Sequence, residues 1–254
     1  MKNKIFYSIF LVALMSGSLF AKTDKALVQA VEQGDVPAVR AMLESGADVN
    51  TWNKGKTPIF LATENDDGAM VRELLNPQWN IDIKKTSGAA DAFLSAVWNG
   101  KTNAVEAFIN AEYDIPAVAA KRSAQDVLVI AAGQCHAGVV DLLVKKYKSR
   151  YDQPNSKFLG QEARNHEYYE DALLMAKQQM QNIEALLQTG TWEESESFGV
   201  GVTTKLVAEI KTPEDEQYWQ DKQEQCGEII AKMKHLSSER TKKQIAAKFK
   251  QGKK

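Results

Sequence analysis

Thr57-Pro58-Ile59-Phe60-Leu61-Ala62, then Val71-Arg72-Glu73-Leu74-Leu75, then Asn80-Ile81-Asp82, is the stretch on which the reading of this chain turns. Counterparts stand on either side. Upstream lie Ala26-Leu27-Val28-Gln29-Ala30, Val39-Arg40-Ala41-Met42-Leu43 and Gly46-Ala47-Asp48-Val49-Asn50. Downstream, Phe93-Leu94-Ser95-Ala96 precedes Val105-Glu106-Ala107-Phe108-Ile109, and Val129-Ile130-Ala131-Ala132 precedes Val140-Asp141-Leu142-Leu143-Val144. Ala30 to Val39, Ala62 to Val71, Ala96 to Val105 and Ala131 to Val140 are each nine residues apart, and the copies recur at 32, 34 and 35 residues. A fixed period of this size marks a repeat architecture. In each copy the apolar residues fall at helical spacing over two short segments, so each copy reads as a pair of helices.

Turn chemistry agrees. Pro58 suits the first turn of a helix, where its missing N–H costs nothing, and Thr57 is placed to cap that helix with its hydroxyl. Gly34 and Gly100 end the first helix of their copies, where a left-handed backbone favours glycine. Asp66 and Cys135 stand in the same places in the other two copies. A fifth pair is expected at Asp171-Ala172-Leu173-Leu174-Met175-Ala176 with Ile183-Glu184-Ala185-Leu186-Leu187, after a polar loop from Lys148 to His166.

The period, Gly46-Ala47-Asp48-Val49-Asn50 and Thr57-Pro58 resemble the ankyrin repeat, over about residues 24–147. The resemblance implies a β-turn and two antiparallel helices per unit. The expected fold is all-α, an elongated ankyrin-repeat solenoid of about four to five helix pairs with a C-terminal capping helical region. It also implies binding of another protein through the hairpin tips and the inner-helix face. Carried over residue by residue, that surface is Trp52, Asn53, Lys54 and Lys56 at the second unit's tip, with Glu64 and Asn65 on its inner helix. Ser87, Trp98 and Asn99 follow in the third unit, and Arg122, Gln125 and Gln134 in the fourth. The places matching Trp98 hold Glu32, Glu64 and Gly133. A core position would stay apolar in every unit, so Trp98 is expected to be at least partly exposed. Tryptophan is enriched at binding hot spots, though large aromatics are more often mostly buried.

Residues 1–21 have the layout of a secretory leader: Lys2 and Lys4, an apolar run from Ile5 to Leu14, then Ser16-Gly17-Ser18 and Ala21. Cleavage after Ala21 would deliver the chain to the periplasm or beyond in a bacterial envelope, with no stable membrane insertion afterwards. The expected organisation is 1–21 leader, 22–190 repeat array, and 191–254 a non-repeat region with an amphipathic helix and a basic tail.

That last region is split by charge. Residues 191–228 carry 10 acidic and 3 basic side chains, and residues 229–254 carry 9 basic and 1 acidic. Residues 192–197 read as an acidic connector, and the alternation at Phe198, Val200 and Val202 as a short strand or hairpin. Thr212-Pro213-Glu214-Asp215 opens a helix whose stripe is Trp219, Cys226, Ile230 and Met233, with Ile229 beside it. It reads as a cap on the last repeat or as a partner-binding helix, and Lys242 to Lys254 as a solvated, frayed tail or a contact for anionic lipid or nucleic acid.

The whole chain has 254 residues, 44% hydrophobic and 26% charged, with net charge −1. That composition excludes wholesale disorder, and the charge balance gives no expectation of a nucleic-acid partner. His166-Glu167-Tyr168-Tyr169-Glu170 lacks the second histidine of a zinc helix, no Gly-x-Ser-x-Gly elbow occurs, and Gly199 to Lys205 lacks a phosphate loop's Gly-Lys order. No catalytic residue, cofactor or metal is therefore expected, and the chain is read as a non-enzymatic monomer that binds a protein, in an immunity, antitoxin-like or scaffold role. The alternative is an enzyme or accessory factor with a site in residues 148–168 or 191–254. Cys135 and Cys226 either pair, closing a loop of about 90 residues, or remain separate thiols.

Overall fold

The computed structural model describes residues 24–53, 55–84, 88–112, 115, 126–152, 168–198 and 201–251. The leader segment 1–21, Lys54, Ser87, Arg122 and Gln125 lie outside them.

Helices dominate. Residues 24–32 form α1, and α2 is Val36–Glu44, α3 Pro58–Glu64, α4 Gly68–Leu74, α5 Ala89–Trp98, α6 Thr102–Asn110, α7 Val127–Gly133 and α8 Ala137–Tyr151. A long α9, Tyr168–Thr189, leads into an antiparallel hairpin of β1, Thr191–Phe198, and β2, Gly201–Glu209. The last helix, α10, is Pro213–Gln251 and has 39 residues. Helices α1 to α8 are the four expected pairs, and the fold class is all-α with a helix-pair repeat.

The linker between paired helices has one conformation throughout. Gly34 and Gly100 take φ +72° and +68°, and Asp66 and Cys135 follow them at +53° and +52°. A side chain in the left-handed region costs about 1–2 kcal/mol, so Asp66 and Cys135 hold their places through other contacts.

Two compact units divide the chain. The first is Met1–Ala96 with Lys101–Arg122, the second Val97–Gly100 with Ser123–Lys254. In the first, Leu27, Val39, Ala62, Met70, Val71, Leu74, Phe93 and Phe108 are at or near zero exposure. Phe93 and Phe108 meet edge to face at 5.7 Å between ring centroids. Asn50 links successive repeats within this unit: its Oδ1 accepts from Asp82 N at 2.7 Å and its Nδ2 donates to Asn80 O at 3.2 Å. Asp66 does likewise, accepting from Ala104 N at 2.9 Å and Asn103 Nδ2 at 3.2 Å. The side chain of Glu73 is buried, accepts from Arg40 and from Trp79 Nε1, and is held below the usual carboxylate range chiefly by the Arg40 hydrogen bonds.

In the second unit α9 packs on α7 and α10. Tyr151 and Tyr169 are fully buried, and Tyr169 donates to Asp152 at 3.0 Å. Lys232 pairs with Asp141, Lys243 with Asp152 at 3.2 Å, and Arg240 with Glu170 at 3.4 Å, so three cations of the basic half of α10 are matched by acids of this unit.

Several local expectations are corrected. The fifth pair is one continuous helix, α9, because nothing between its two halves breaks a helix: the joining stretch is Lys177-Gln178-Gln179-Met180-Gln181-Asn182, free of glycine and proline. The stretch expected as a polar loop begins inside α8, which runs on to Tyr151, and its residues from 153 onward lie outside the described ones. Residues 192–197 are the first strand of the hairpin rather than a connector. The buried face of α10 is Cys226, Ile229, Met233, Leu236 and Arg240, so Ile229 replaces Ile230, which is only partly buried. The helix continues to Gln251, through most of the segment expected to fray. Thr57 sits at the N-cap of α3 with an extended backbone, but its side chain makes no capping bond to that helix.

Candidate functional site

In the first unit the tip of the second repeat is a tight turn. Asn53 and Lys56 exchange backbone hydrogen bonds at 3.0 Å each, and Gly55 between them takes φ +84°. Lys56 Nζ reaches back to both oxygens of Glu64 on α3 at 2.7 Å. That pair ties the tip to the inner helix, although both side chains are partly exposed and the pair is screened. Trp52, beside the turn, is 51% exposed, and Asn65 is exposed at the C-terminal end of α3. Trp52, Asn53, Lys56, Glu64 and Asn65 are thus polar but for one large, half-exposed aromatic side chain.

In the second unit Trp98 is the last residue of α5 and is 54% exposed, next to exposed Asn99. Its exposure fits the variability of the equivalent positions. Those positions diverge structurally as well. Glu32 is exposed and Glu64 partly so, whereas Gly133 is buried and lies against Met175 of α9; a Cβ there would stand 3.4 Å from the Met175 Cβ. Gln134 is partly buried, and its carbonyl accepts from Lys222 of α10 at 3.2 Å. In the fourth repeat, then, the chain's own C-terminal helices lie against Gly133 and Gln134.

The backbone around Trp98 is held by a side chain from the next repeat. The last carbonyls of a helix have no partner within it. His136 Nε2 lies 2.9 Å from Trp98 O, and Lys222 Nζ lies 2.9 Å from His136 Nδ1. An ammonium can only donate, so Nδ1 carries the lone pair and Nε2–H donates to the carbonyl. Burial, with the Lys222 charge adding to it, pushes the His136 pKa down to about 4. Burial also lowers that of Lys222. Gly100 faces the imidazole, and any side chain there would collide with the ring. Cys135, beside His136 in the chain, is joined by a disulfide to Cys226, one helical turn from Lys222, with Cα atoms 4.8 Å apart. Both cysteines are fully buried in a cluster with Ile183, and Met180, Leu187 and Trp219 pack around it.

Sequence reasoning missed Lys222 and His136 as a pair. Each is ordinary in sequence, and they lie 86 residues apart. Among the described residues no group of three or more His, Cys, Asp or Glu side chains is arranged to hold a metal ion. Among the same residues no helix is long and apolar enough to cross a membrane.

Comparison with known proteins gives the repeats their class. A family model described as "Ankyrin repeats (3 copies)" matches residues 9–87. Among solved structures, the ankyrin repeat protein EF0377 is 22% identical, with 61% of this chain and 81% of that chain covered and a TM-score of 0.40. No curated protein matches. The fold is all-α, and the family model places ankyrin repeats within residues 9–87. Ankyrin repeats are protein–protein interaction modules, typically without enzymatic activity.

Proposed function

We propose that the chain is an exported, non-enzymatic ankyrin-repeat protein that binds another protein in the bacterial envelope, with Trp98 as an anchor. The observation that carries the reading is a tryptophan more than half exposed at a helix end whose backbone carbonyl is bonded by a partly buried histidine. A rigid aromatic loses little conformational entropy on binding, and such residues dominate interface energies. Export is supported by the leader-like residues 1–21 and by the Cys135–Cys226 bridge, since disulfides persist in oxidising compartments. An immunity, antitoxin-like or scaffold role fits a protein that works by occluding or holding a partner.

The test is affinity capture from the envelope fraction followed by mass spectrometry, with wild type and Trp98→Ala side by side. Trp98→Ala leaves the melting temperature nearly unchanged and weakens capture by about 2 kcal/mol, roughly thirtyfold. A large fall in melting temperature with capture intact overturns the anchor. Export is checked separately: the protein from that fraction begins at Lys22.

A further inference from the structure

We propose that Lys222 and His136 are positioning residues for Trp98, held in register by the Cys135–Cys226 disulfide, so that α10 is a working part of the binding surface whose effect depends on oxidation. The inference rests on the reading of Trp98 as an anchor and adds how that anchor is set.

The geometry is a single run of contacts within the second unit. The Trp98 carbonyl accepts from His136 Nε2–H, and Lys222 Nζ donates to Nδ1 of the same ring. Lys222 also donates to Gln134 O, so the ammonium spans two acceptors flanking Cys135. Four residues further along α10, Cys226 is bonded to Cys135 itself. The helix thus grips residues 134–136 by one covalent bond and two hydrogen bonds. Its route to Trp98 in this run is the imidazole.

Each group has one acceptable state in this arrangement. The ring must be neutral with its proton on Nε2, since protonation of Nδ1 would set a second cation against Lys222 and remove the acceptor. Among the described residues Lys222 is the charged group facing the imidazole, and the backbone carbonyl of Trp98 and Gly100 also lie against the ring. The equivalent loop residues elsewhere work differently. Asp35 and Asp67 accept from the N–H groups of their own following helices, at 3.0 Å and 2.9 Å, whereas the His136 ring turns back to the preceding repeat.

The bridge gives the arrangement a chemical dependence. It forms when the two thiols yield two electrons and two protons to a disulfide-bearing oxidant. It opens when a dithiol transfers two electrons and two protons to it and becomes a disulfide in turn. Without the bridge, α10 keeps its apolar face but loses the bond that fixes Lys222 against His136.

The experiment uses the purified protein labelled with 15N at histidine and tryptophan, followed by NMR during a pH titration. His136→Gln assigns the ring among the three histidines, and Trp98→Phe assigns the tryptophan amide and indole. In the oxidised protein His136 carries its proton on Nε2 and stays neutral until the pH approaches about 4. Lys222→Met moves its midpoint toward 6.5 and shifts the Trp98 amide. Lys222→Arg restores both, which a merely structural role for the helix would not require. Reduction with a dithiol, or Cys135→Ser with Cys226→Ser, produces the same change as Lys222→Met. A proton on Nδ1, a midpoint near 6.5 in the oxidised wild type, or a Trp98 amide unmoved by Lys222→Met overturns the positioning role. A Cys-free variant with the oxidised signature overturns the dependence on the bridge. Failure of Trp98→Ala to weaken capture removes the anchor reading and leaves these signatures standing, so the two failures are distinct.

Discussion

The linkers that join paired helices are solved in two ways in the two halves of this chain. In the first unit Asp35 and Asp67 cap the next helix locally, and Asp66 bonds to the backbone of the following repeat. Each of these partners is supplied by the repeat or its neighbour. In the second unit the corresponding places hold Cys135 and His136, and both take partners from α10, 91 and 86 residues away. The first arrangement can be copied from unit to unit. The second cannot, because it needs one particular helix. The last member of the array faces a different neighbour, and its linker residues Cys135 and His136 take their partners from it.

Breaking the long-range hold tests the contrast most strongly. Cys135→Ser with Cys226→Ser should destabilise the second unit by about 4–5 kcal/mol on the chain-entropy account of a loop this long. Thermal unfolding followed by circular dichroism should then show a second transition moving down while that of the first unit stays. Equal movement of both would mean that the halves unfold as one.

Removing a repeat-to-repeat contact should act on the other side. Leu74 is fully buried in the first unit, and Leu74→Ala should cost about 2–5 kcal/mol there, read by urea denaturation. Leu143, equally buried in the second unit, provides the matched change.

Acid separates the halves without mutation. His136 has a folded pKa of about 4 against an ordinary 6.5. Its unfolded form therefore binds a proton first, and the stability owed to the neutral ring is present above 6.5 and lost as the pH falls toward 4. Glu73 is also shifted downward, from 4.5, but as a carboxylate. Its contribution holds above 4.5 and is lost only as the pH falls through its lower folded value. The second unit should weaken first on acidification, as measured by hydrogen exchange of α8 and α4 amides. The opposite order would sink this account.

The smallest effect is expected at a local cap. Asp35→Ala removes the bond to Ala38 N and should cost about 1 kcal/mol in the first unit alone. Lys101, at the matching place before α6, makes no side-chain cap, so Lys101→Ala should change stability by less than about 0.5 kcal/mol. Comparison of the two melting temperatures checks the pair.

Much of the repeat array was legible because its determinants are short-range. The nine-residue interval fixes which faces of two helices meet, and the left-handed linker could be placed from Gly34 and Gly100 alone, then extended to Asp66 and Cys135. Exposure of Trp98 followed from comparing equivalent positions. Trp52, Asn53, Lys56, Glu64 and Asn65 were singled out by their positions in the repeat alone. The pairing of Lys56 with Glu64 needed the turn at Gly55 to bring them together.

Outside the array the sequence carried less, for physical reasons. The acidic run at 192–197 pairs as a strand because β2 stands opposite it, an influence that no propensity of Glu and Ser contains. The choice of Ile229 over Ile230 on α10 depends on how the helix rolls against α9, which only packing decides. Sequence alone determined the period, the helix pairs and the two cysteines with bridged and free forms both open. Tertiary structure decided that Cys135 meets Cys226 and that Lys222 reaches His136, because contacts across 91 and 86 residues are set by where α10 lies, not by any local pattern.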